Sequence, residues 1–272
     1  MSAVINWPKN IWVIGCGNMG GSIVQAWLDQ GAPASNITVI DPSPSRLPQG
    51  LTARADYPDG DPPELVLLSV KPHMLGDIAS ELAPHCNAQT TLVSILAGTE
   101  LNILAAAIPD TGNIVRLMPN MAVTVGKSPM IMVSRSDDPS LKEQMNNLFS
   151  PLGRPEWLDN EDQMHLATAL SGSGPAFLFR FIDALAVSAG ELGMGADQAA
   201  RLALAMVEGA AELAAGAEDS PGILADRVAS PGGVTRKGLD VLDAEDRVNL
   251  LMKDVLQAAM ERNREMAEEA KN

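Results

Sequence analysis

Short apolar runs bounded by glycine, proline and polar clusters dominate the first part of the chain. Ile11 to Gly15, Ile37 to Ile40, Leu65 to Val70, Thr91 to Leu96 and Asn113 to Leu117 are such runs, and their length and β-branched content predict buried strands. Between them lie stretches with helical spacing: Asn18 to Gln30, where Ile23, Trp27 and Leu28 recur on one face before Gly31, then Leu75 to Leu82 and Leu101 to Ala107. Met130 to Val133 and Pro155 to Leu158 predict two more strands, flanking a helix at Ser140 to Phe149. The stretch after Asp41 breaks the rhythm, because Pro42, Pro44, Pro48, Pro58, Pro62 and Pro63 leave room for little regular structure. Strand and helix otherwise alternate up to about residue 160, which predicts a parallel sheet with crossover helices. From about Glu161 the strand pattern stops and alanine-rich helical spacing takes over, in Met164–Leu170, Pro175–Gly190, Ala196–Gly216, Pro221–Val228 and Ala244–Ala270. The expected fold class is therefore α/β: a Rossmann-type parallel sheet domain over 1–160, then an all-helical domain over 161–272.

Composition narrows the functions such a chain can have. With 272 residues and 46% hydrophobic content, it has enough apolar material for an ample core. Against 34 Asp and Glu stand only 19 Lys and Arg, a net charge of −15. Such a surface repels phosphate backbones and anionic lipid, so neither nucleic acid nor a membrane is an expected partner. Two cysteines, Cys16 and Cys86, make no disulfide framework, and no leader segment is visible, so the expected location is the cytoplasm. No apolar run is expected to reach the roughly 18 residues of a membrane span, since Gly172, Gly174 and Pro175 cut the longest central stretch free of acidic and basic residues. Three scattered histidines and two distant cysteines give no metal-ligand spacing. His73, His85 and His165 are expected at the surface or in helix packing.

Gly15-Cys16-Gly17-Asn18-Met19-Gly20 falls between the first predicted strand and the first predicted helix. In that position the first glycine permits a tight turn, the second lets a pyrophosphate approach the backbone, and the third lets helix and strand pack closely. Asp41, at the end of the second strand, is placed to accept from an adenosine ribose hydroxyl, which favours NAD; Ser43, Ser45 and Arg46 in the same loop could instead hold a 2′-phosphate. These residues leave NADPH and NADH both open. Val70-Lys71-Pro72, Ala97-Gly98 and Asn120 lie just past other strand ends, where an open parallel sheet binds ligands, and Lys71 and Asn120 are candidates to reach the ribose and nicotinamide. Cys16 reads as a small buried side chain, with no activating base beside it.

Two further segments in the helical half stand out, Ser171-Gly172-Ser173-Gly174-Pro175-Ala176-Phe177 and Ser230-Pro231-Gly232-Gly233-Val234-Thr235. The second offers successive backbone N–H groups at a helix start, a cradle that neutralises a carboxylate without Lys or Arg. With the glycine-rich turn, Val70-Lys71-Pro72 and Met118-Pro119-Asn120, in this order, these segments resemble the pyrroline-5-carboxylate reductase family over nearly the whole chain. The resemblance implies reduction of 1-pyrroline-5-carboxylate to L-proline, the last step of proline biosynthesis, with NADPH or NADH as cofactor. It also implies homodimers built on the helical domain, with decamers as a further assembly. By position it makes Ser230, Gly232, Gly233 and Val234 the carboxylate cradle, puts Thr235 on the imine nitrogen as the catalytic group, and brings Glu218 near the ring. Four features depart from the family pattern: the prolines after Asp41, Met121-Ala122 where Thr-Pro is usual, Val234 in place of Thr or Ala, and the added charge of Arg236-Lys237. The β-hydroxyacid dehydrogenases share the two-part layout, but their alcohol–carbonyl chemistry needs a proton carrier, generally a lysine on the first helix of the helical part. No lysine occurs between Lys142 and Lys237.

Overall fold

In the computed structural model, which describes residues 5–269, eight strands form one sheet in the order β3-β2-β1-β4-β5-β6-β7-β8. These are β1 Ile11–Ile14, β2 Ile37–Ile40, β3 Ala53–Arg54, β4 Leu65–Leu68, β5 Thr91–Ser94, β6 Asn113–Met118, β7 Ser128–Ser134 and β8 Gly153–Trp157. Helices α1 Asn18–Asp29, α2 Leu75–Leu82, α3 Leu101–Ala107 and α4 Pro139–Phe149 connect them. β1 and β4 are apolar at every position and, with β5, buried throughout because both faces are covered. Ile11, Val13, Val39, Leu65, Leu67 and Val93 turn to one face, against Trp27 of α1 and Met145 and Phe149 of α4. Their alternates Trp12, Ile14, Ile40, Val66, Leu68 and Leu92 turn to the other, against α2 and α3. Trp27 is sealed between α1 and α4, and its indole N–H still finds an acceptor, Leu148 O at 2.8 Å.

Two features of the sheet differ from the expected pattern. β7 runs antiparallel to β6, pairing Leu117 with Met132. The link between them, 119–127, is too short for the crossover that a parallel pair requires. A two-residue strand, β3, survives in the proline-rich stretch, pairing Val39 with Ala53 at the edge of the sheet. His85 is also not a simple surface residue: its ring stacks on Tyr57 at 5.3 Å and lies 5.5 Å from Trp12.

The helical half contains α5 Gln163–Ala167, a wide π-type turn Thr168–Gly172, α6 Gly174–Glu191, α7 Ala196–Gly216, α8 Pro221–Val228, α9 Val234–Asp243 and α10 Arg247–Glu269. The glycines and proline near 172 break the regular helix only briefly, at Ser173. Gly172 closes the wide turn, while Gly174 and Pro175 form the first turn of α6 after Ser173, and the stretch Gln163–Glu191, 29 residues with an 18-residue window of mean hydropathy 1.2, is long and apolar enough to cross a membrane by length and composition. The expectation of no such segment is corrected accordingly. The last helix starts at Arg247 rather than Ala244, because Glu245 and Asp246 take left-handed φ values of 55°; its expected end, Ala270, lies outside the described residues. By internal contacts the chain forms two compact units. One runs through Gly172 and resumes at Ala259; the other is Ser173–Ala258.

Candidate functional site

Strand order reverses between β1 and its neighbours β2 and β4, and in such sheets ligands bind past the carboxyl ends at that point. The loops after β2, β1, β4 and β5 therefore lie side by side on one edge, bringing together the Asp41 to Arg46 loop, the glycine-rich turn, Val70-Lys71-Pro72 and Ala97-Gly98. The three glycines divide the labour as their spacing implies. Gly15 has φ +87°, and a Cβ there would meet Ser69 O and Val70 Cγ1 at 2.8 Å. A Cβ on Gly20 would run into Ser69 Oγ, which itself donates to Gly15 O. Gly17 is different: its φ is an ordinary −82°, and the nearest atom to a Cβ would be Ser45 Oγ at 3.9 Å. The space over Gly17 is thus open, as a pyrophosphate would need. The first intrahelical bond runs from Gly21 N to Gly17 O at 2.8 Å, so the amides of Asn18, Met19 and Gly20 have no intrahelical acceptor.

Asp41 does more than the sequence suggests. Its Oδ2 accepts from Cys16 N at 2.6 Å and its Oδ1 from Ser43 N at 2.8 Å, so the carboxylate laces the glycine turn to the loop after β2. Each oxygen keeps acceptor capacity for a sugar hydroxyl. Arg46 is tied to the same turn by its backbone, donating from N to Cys16 O at 3.1 Å and accepting the Cys16 thiol at 3.3 Å, while its side chain stays exposed beside Ser43 and Ser45. Cys16 is fully buried, and burial first, then the Asp41 charge, pushes its thiol up to about 11. Burial also pushes Cys86 up to about 11, with Asp110 adding to it. Both thiols therefore stay protonated and inert at neutral pH. Iodoacetamide at pH 8 should modify neither in the folded protein and both after denaturation; rapid labelling of Cys16 in the native state would contradict a sealed turn.

Farther along the edge, Lys71 and Ala97 are exposed and Gly98 is buried under α10, where Ala267 is 1% exposed. A pocket past β5 and β6 is lined by Ser94, Gly98, Arg116, Thr168 and Asn263. Arg116 is buried and paired with Glu161, whose Oε1 also accepts from Leu101 N at 2.7 Å at the start of α3. Asn120, expected to reach the nicotinamide side, is buried with its polar groups engaged by Ser128, Ala122 and Ser171.

His165, also on this unit, has Asn263 Nδ2 3.2 Å from its Nδ1. Burial, reinforced by Arg116 and Arg264, holds its pKa below the ordinary histidine value, against a smaller opposing pull from Glu100 and Asp162. As pH falls through about 6.5, the unfolded chain takes up this proton before the folded one. Folded stability therefore drops until pH passes below the lowered pKa. Between pH 7 and 5, the urea midpoint of His165→Gln should fall less than that of the parent; equal falls would show that His165 does not carry this loss.

In the helical unit, Ser230 to Gly233 forms a turn closed by Gly233 N donating to Ser230 O at 2.9 Å. Pro231 precedes Gly232, whose φ is +72°, the arrangement a type II turn demands. Gly233 then caps α9, and Lys237 N reaches Gly233 O at 3.2 Å, so the amides of Val234, Thr235 and Arg236 are the ones without intrahelical acceptors. Thr235 is exposed, and its hydroxyl has no partner among the described residues. Arg236 does not add a loose charge here, because its guanidinium meets Asp226 at 3.3 Å, Asp240 at 2.9 Å and Asp243 at 2.6 Å, fastening α9 to itself and to α8. Glu218 is exposed in the loop between α7 and α8.

Comparison with known proteins decides the family. A protein named pyrroline-5-carboxylate reductase from Pasteurella multocida is 32% identical over 269 residues, covering 95% of this chain and 98% of the relative. One of the same name from Pseudomonas aeruginosa is 32% identical, covering 94% and 96%. The chain belongs to the pyrroline-5-carboxylate reductase family. A solved pyrroline-5-carboxylate reductase from Coxiella burnetii superposes with a TM-score of 0.87 at 30% identity, covering 95% of this chain and 98% of that one. A Plasmodium falciparum pyrroline carboxylate reductase, solved with NADP bound, has the same fold, with a TM-score of 0.79 at 23% identity, covering 97% of this chain and 100% of that one. The family described as pyrroline-5-carboxylate reductase dimerisation matches residues 161–266. Residues 10–98 match the family described as NADP oxidoreductase, coenzyme F420-dependent. Membership makes this chain an oxidoreductase with an N-terminal Rossmann-type sheet and a helical C-terminal region.

Proposed function

We propose that this chain reduces 1-pyrroline-5-carboxylate to L-proline with a reduced nicotinamide dinucleotide, NADPH or, as the alternative, NADH. What carries the reading is the pair of amide clusters at helix starts, one after a glycine-rich turn and one after a Pro-Gly turn. They suit the two anionic groups the reaction brings, a pyrophosphate and a carboxylate. In a chain with net charge −15, both anions are met by main chain rather than by lysine. The open space above Gly17 and the acceptors and donors of Asp41, Ser43 and Arg46 fit the dinucleotide, which when bound supplies the hydride. Asn18, Met19 and Gly20 present amides to it, and Val70, Lys71, Pro72, Ala97 and Gly98 form the wall beyond.

On the substrate side, the turn Ser230 to Gly233, shaped by Gly232 and Gly233, holds the carboxylate with the Ser230 hydroxyl and the free amide of Val234, and this orients the ring so that one face of the imine carbon is offered. Thr235 hydrogen-bonds the imine nitrogen, which gains electron density as the carbon is reduced and must be or become protonated. A threonine hydroxyl is a weak acid, so its part is to orient the nitrogen and pass a proton from water, with prior protonation of the imine easing the step. Glu218, near the ring, favours that protonated imine by its charge. The exposed apolar residues of the helical unit, Leu178, Phe179, Phe181, Val187 and Leu202 among them, support a homodimer through this region, with decamers as a higher assembly, and a cytoplasmic location rather than a membrane span for Gln163–Glu191. Steady-state rates with the imine and either cofactor, followed by loss of reduced nicotinamide absorbance, test the reading. No imine-dependent oxidation of NADPH or NADH would end it. Sedimentation at working concentration tests the assembly, which should be at least a dimer.

A further inference from the structure

Ala97 stands exposed, while Leu96, Gly98, Thr99 and Leu101 around it are buried. The loop between β5 and α3 thus turns one residue outward, on the edge where the dinucleotide site lies. Glu100, at the N-cap of α3, makes no side-chain cap, and the first turn of α3 carries no acidic residue. A carboxylate from far along the chain fills that place. Glu161 Oε1 accepts from Leu101 N at 2.7 Å, across 60 residues. The same oxygen pairs with the Arg116 guanidinium. Arg116 belongs to the sheet, in register with Ser94 at the end of β5 and with Val133 on β7. Glu161 is itself seated, because its carbonyl accepts at 2.9 Å from the N–H of buried Met164. On one flank the loop lines a pocket with Arg116, Met118 and Thr168, so it lacks packed support there. Ahead of the helix it is held by Ser94 Oγ, which accepts from Leu96 N at 3.3 Å, and by Gly98, where a Cβ would meet Ala267 Cα at 3.5 Å. All these residues belong to the sheet unit.

We infer that Glu161 is a positioning residue for the dinucleotide. By holding the first amide of α3, it fixes how far the Ala97–Gly98 loop stands out against the bound cofactor, without touching the cofactor itself. The inference rests on the dinucleotide site proposed above. A loop already in place needs no ordering when the ligand arrives, whereas a slack loop must be ordered at the expense of affinity. The acceptor at position 161 sets the loop, and the Arg116 guanidinium balances its charge in a buried place.

Removing Glu161 alone strands a buried guanidinium and threatens the fold, so the test compares two double variants of the full chain in which both charges go together. Arg116→Met with Glu161→Gln keeps an acceptor for Leu101 N; Arg116→Met with Glu161→Met does not. Three readouts apply to each: fluorescence titration with NADPH, the KM values for NADPH and for the imine, and hydrogen exchange of the 96–104 backbone without ligand. The variant with Glu161→Gln should bind NADPH within about 3-fold of the parent and show parental exchange at Leu101. The variant with Glu161→Met should bind NADPH about 10-fold more weakly, with a matching rise in KM for NADPH, an unchanged KM for the imine and faster exchange at Leu101. Equal NADPH affinity in the two variants overturns the inference, whether both match the parent, which leaves the pair a support of the fold alone, or both are weakened, which gives the effect to Arg116. A parent that binds neither NADPH nor NADH counts against the proposed dinucleotide site. Leu101 exchange needs no ligand, so a difference between the variants then upholds the anchor and equal exchange overturns it.

Discussion

Thr235→Ala should lower kcat for imine reduction by about 100-fold, equivalent to about 2.7 kcal/mol of transition-state stabilisation, and leave the dinucleotide dissociation constant unchanged. Thr235 stands at the second position of α9, where alanine is accepted by the helix, so folding should be untouched. Its hydroxyl has no partner among the described residues, so its removal strands nothing in the resting protein. The whole effect should fall on the step in which the imine nitrogen gains electron density. Thr235→Ser retains a hydroxyl at the same atom and should keep most of the rate. Turnover in the alanine variant equal to the parent's would remove Thr235 from the mechanism. A parallel loss of dinucleotide affinity would place it elsewhere in the site.

The second large effect separates two nearby glycines, Gly17 of the turn and Gly21 of α1. Gly17→Val places a side chain into open space at an unstrained φ of −82°. It should fold with a parental urea midpoint and lose dinucleotide affinity by about 100-fold, or about 2.7 kcal/mol, because the side chain occupies the approach to the α1 amides. Gly21→Ala should do the reverse. Its Cβ would lie 2.1 Å from Arg46 O, a backbone atom that cannot step aside alone, so the loop laced to Cys16 must move. Overpacking of this kind typically costs about 1–3 kcal/mol of stability. Equal dinucleotide binding by Gly17→Val and the parent would show that no pyrophosphate crosses Gly17.

The strong elements were legible because their residues leave little choice. Ile37 to Ile40 is β-branched at every position and is a strand end to end. Leu75 to Leu82 and Leu101 to Ala107 carry unbroken helical spacing, and both form at those bounds. What was not legible depended on partners distant in sequence. The direction of β7 is not written in its own residues; it follows from the short link after β6. α9 was expected only as a helix start after Ser230 to Thr235, without an end, and the residue that holds it, Arg236, does so through Asp226 of α8 and Asp243 at its own far end. The run through Gly172 to Pro175 read as a long interruption because glycine and proline disfavour helix interiors, but Gly172 closes a π-type turn and Pro175 sits in the first turn of α6, where it removes no helical hydrogen bond. At the candidate site, the glycine turn before α1 and the Pro-Gly turn before α9 could be read from spacing. The lacing by Asp41 and the engagement of Asn120 could not, since each joins segments that meet only in the folded chain.

The amides at the starts of α1 and α9 have a consequence for how this protein can change over generations. A peptide N–H belongs to whichever residue occupies the position, so a substitution at Met19 or Val234 alters the side chain and leaves the donor in place. Val234 is 92% exposed, so its side chain can change without disturbing any packing. Nor does an amide titrate, so its pull on an anion is the same at every pH where the helix exists. The surface is thereby released from any duty to attract anions, and its composition can drift far towards acid without loss of either ligand. The vulnerable positions are the few whose backbone shape makes the helix begin where it does, Gly15, Gly232 and Gly233.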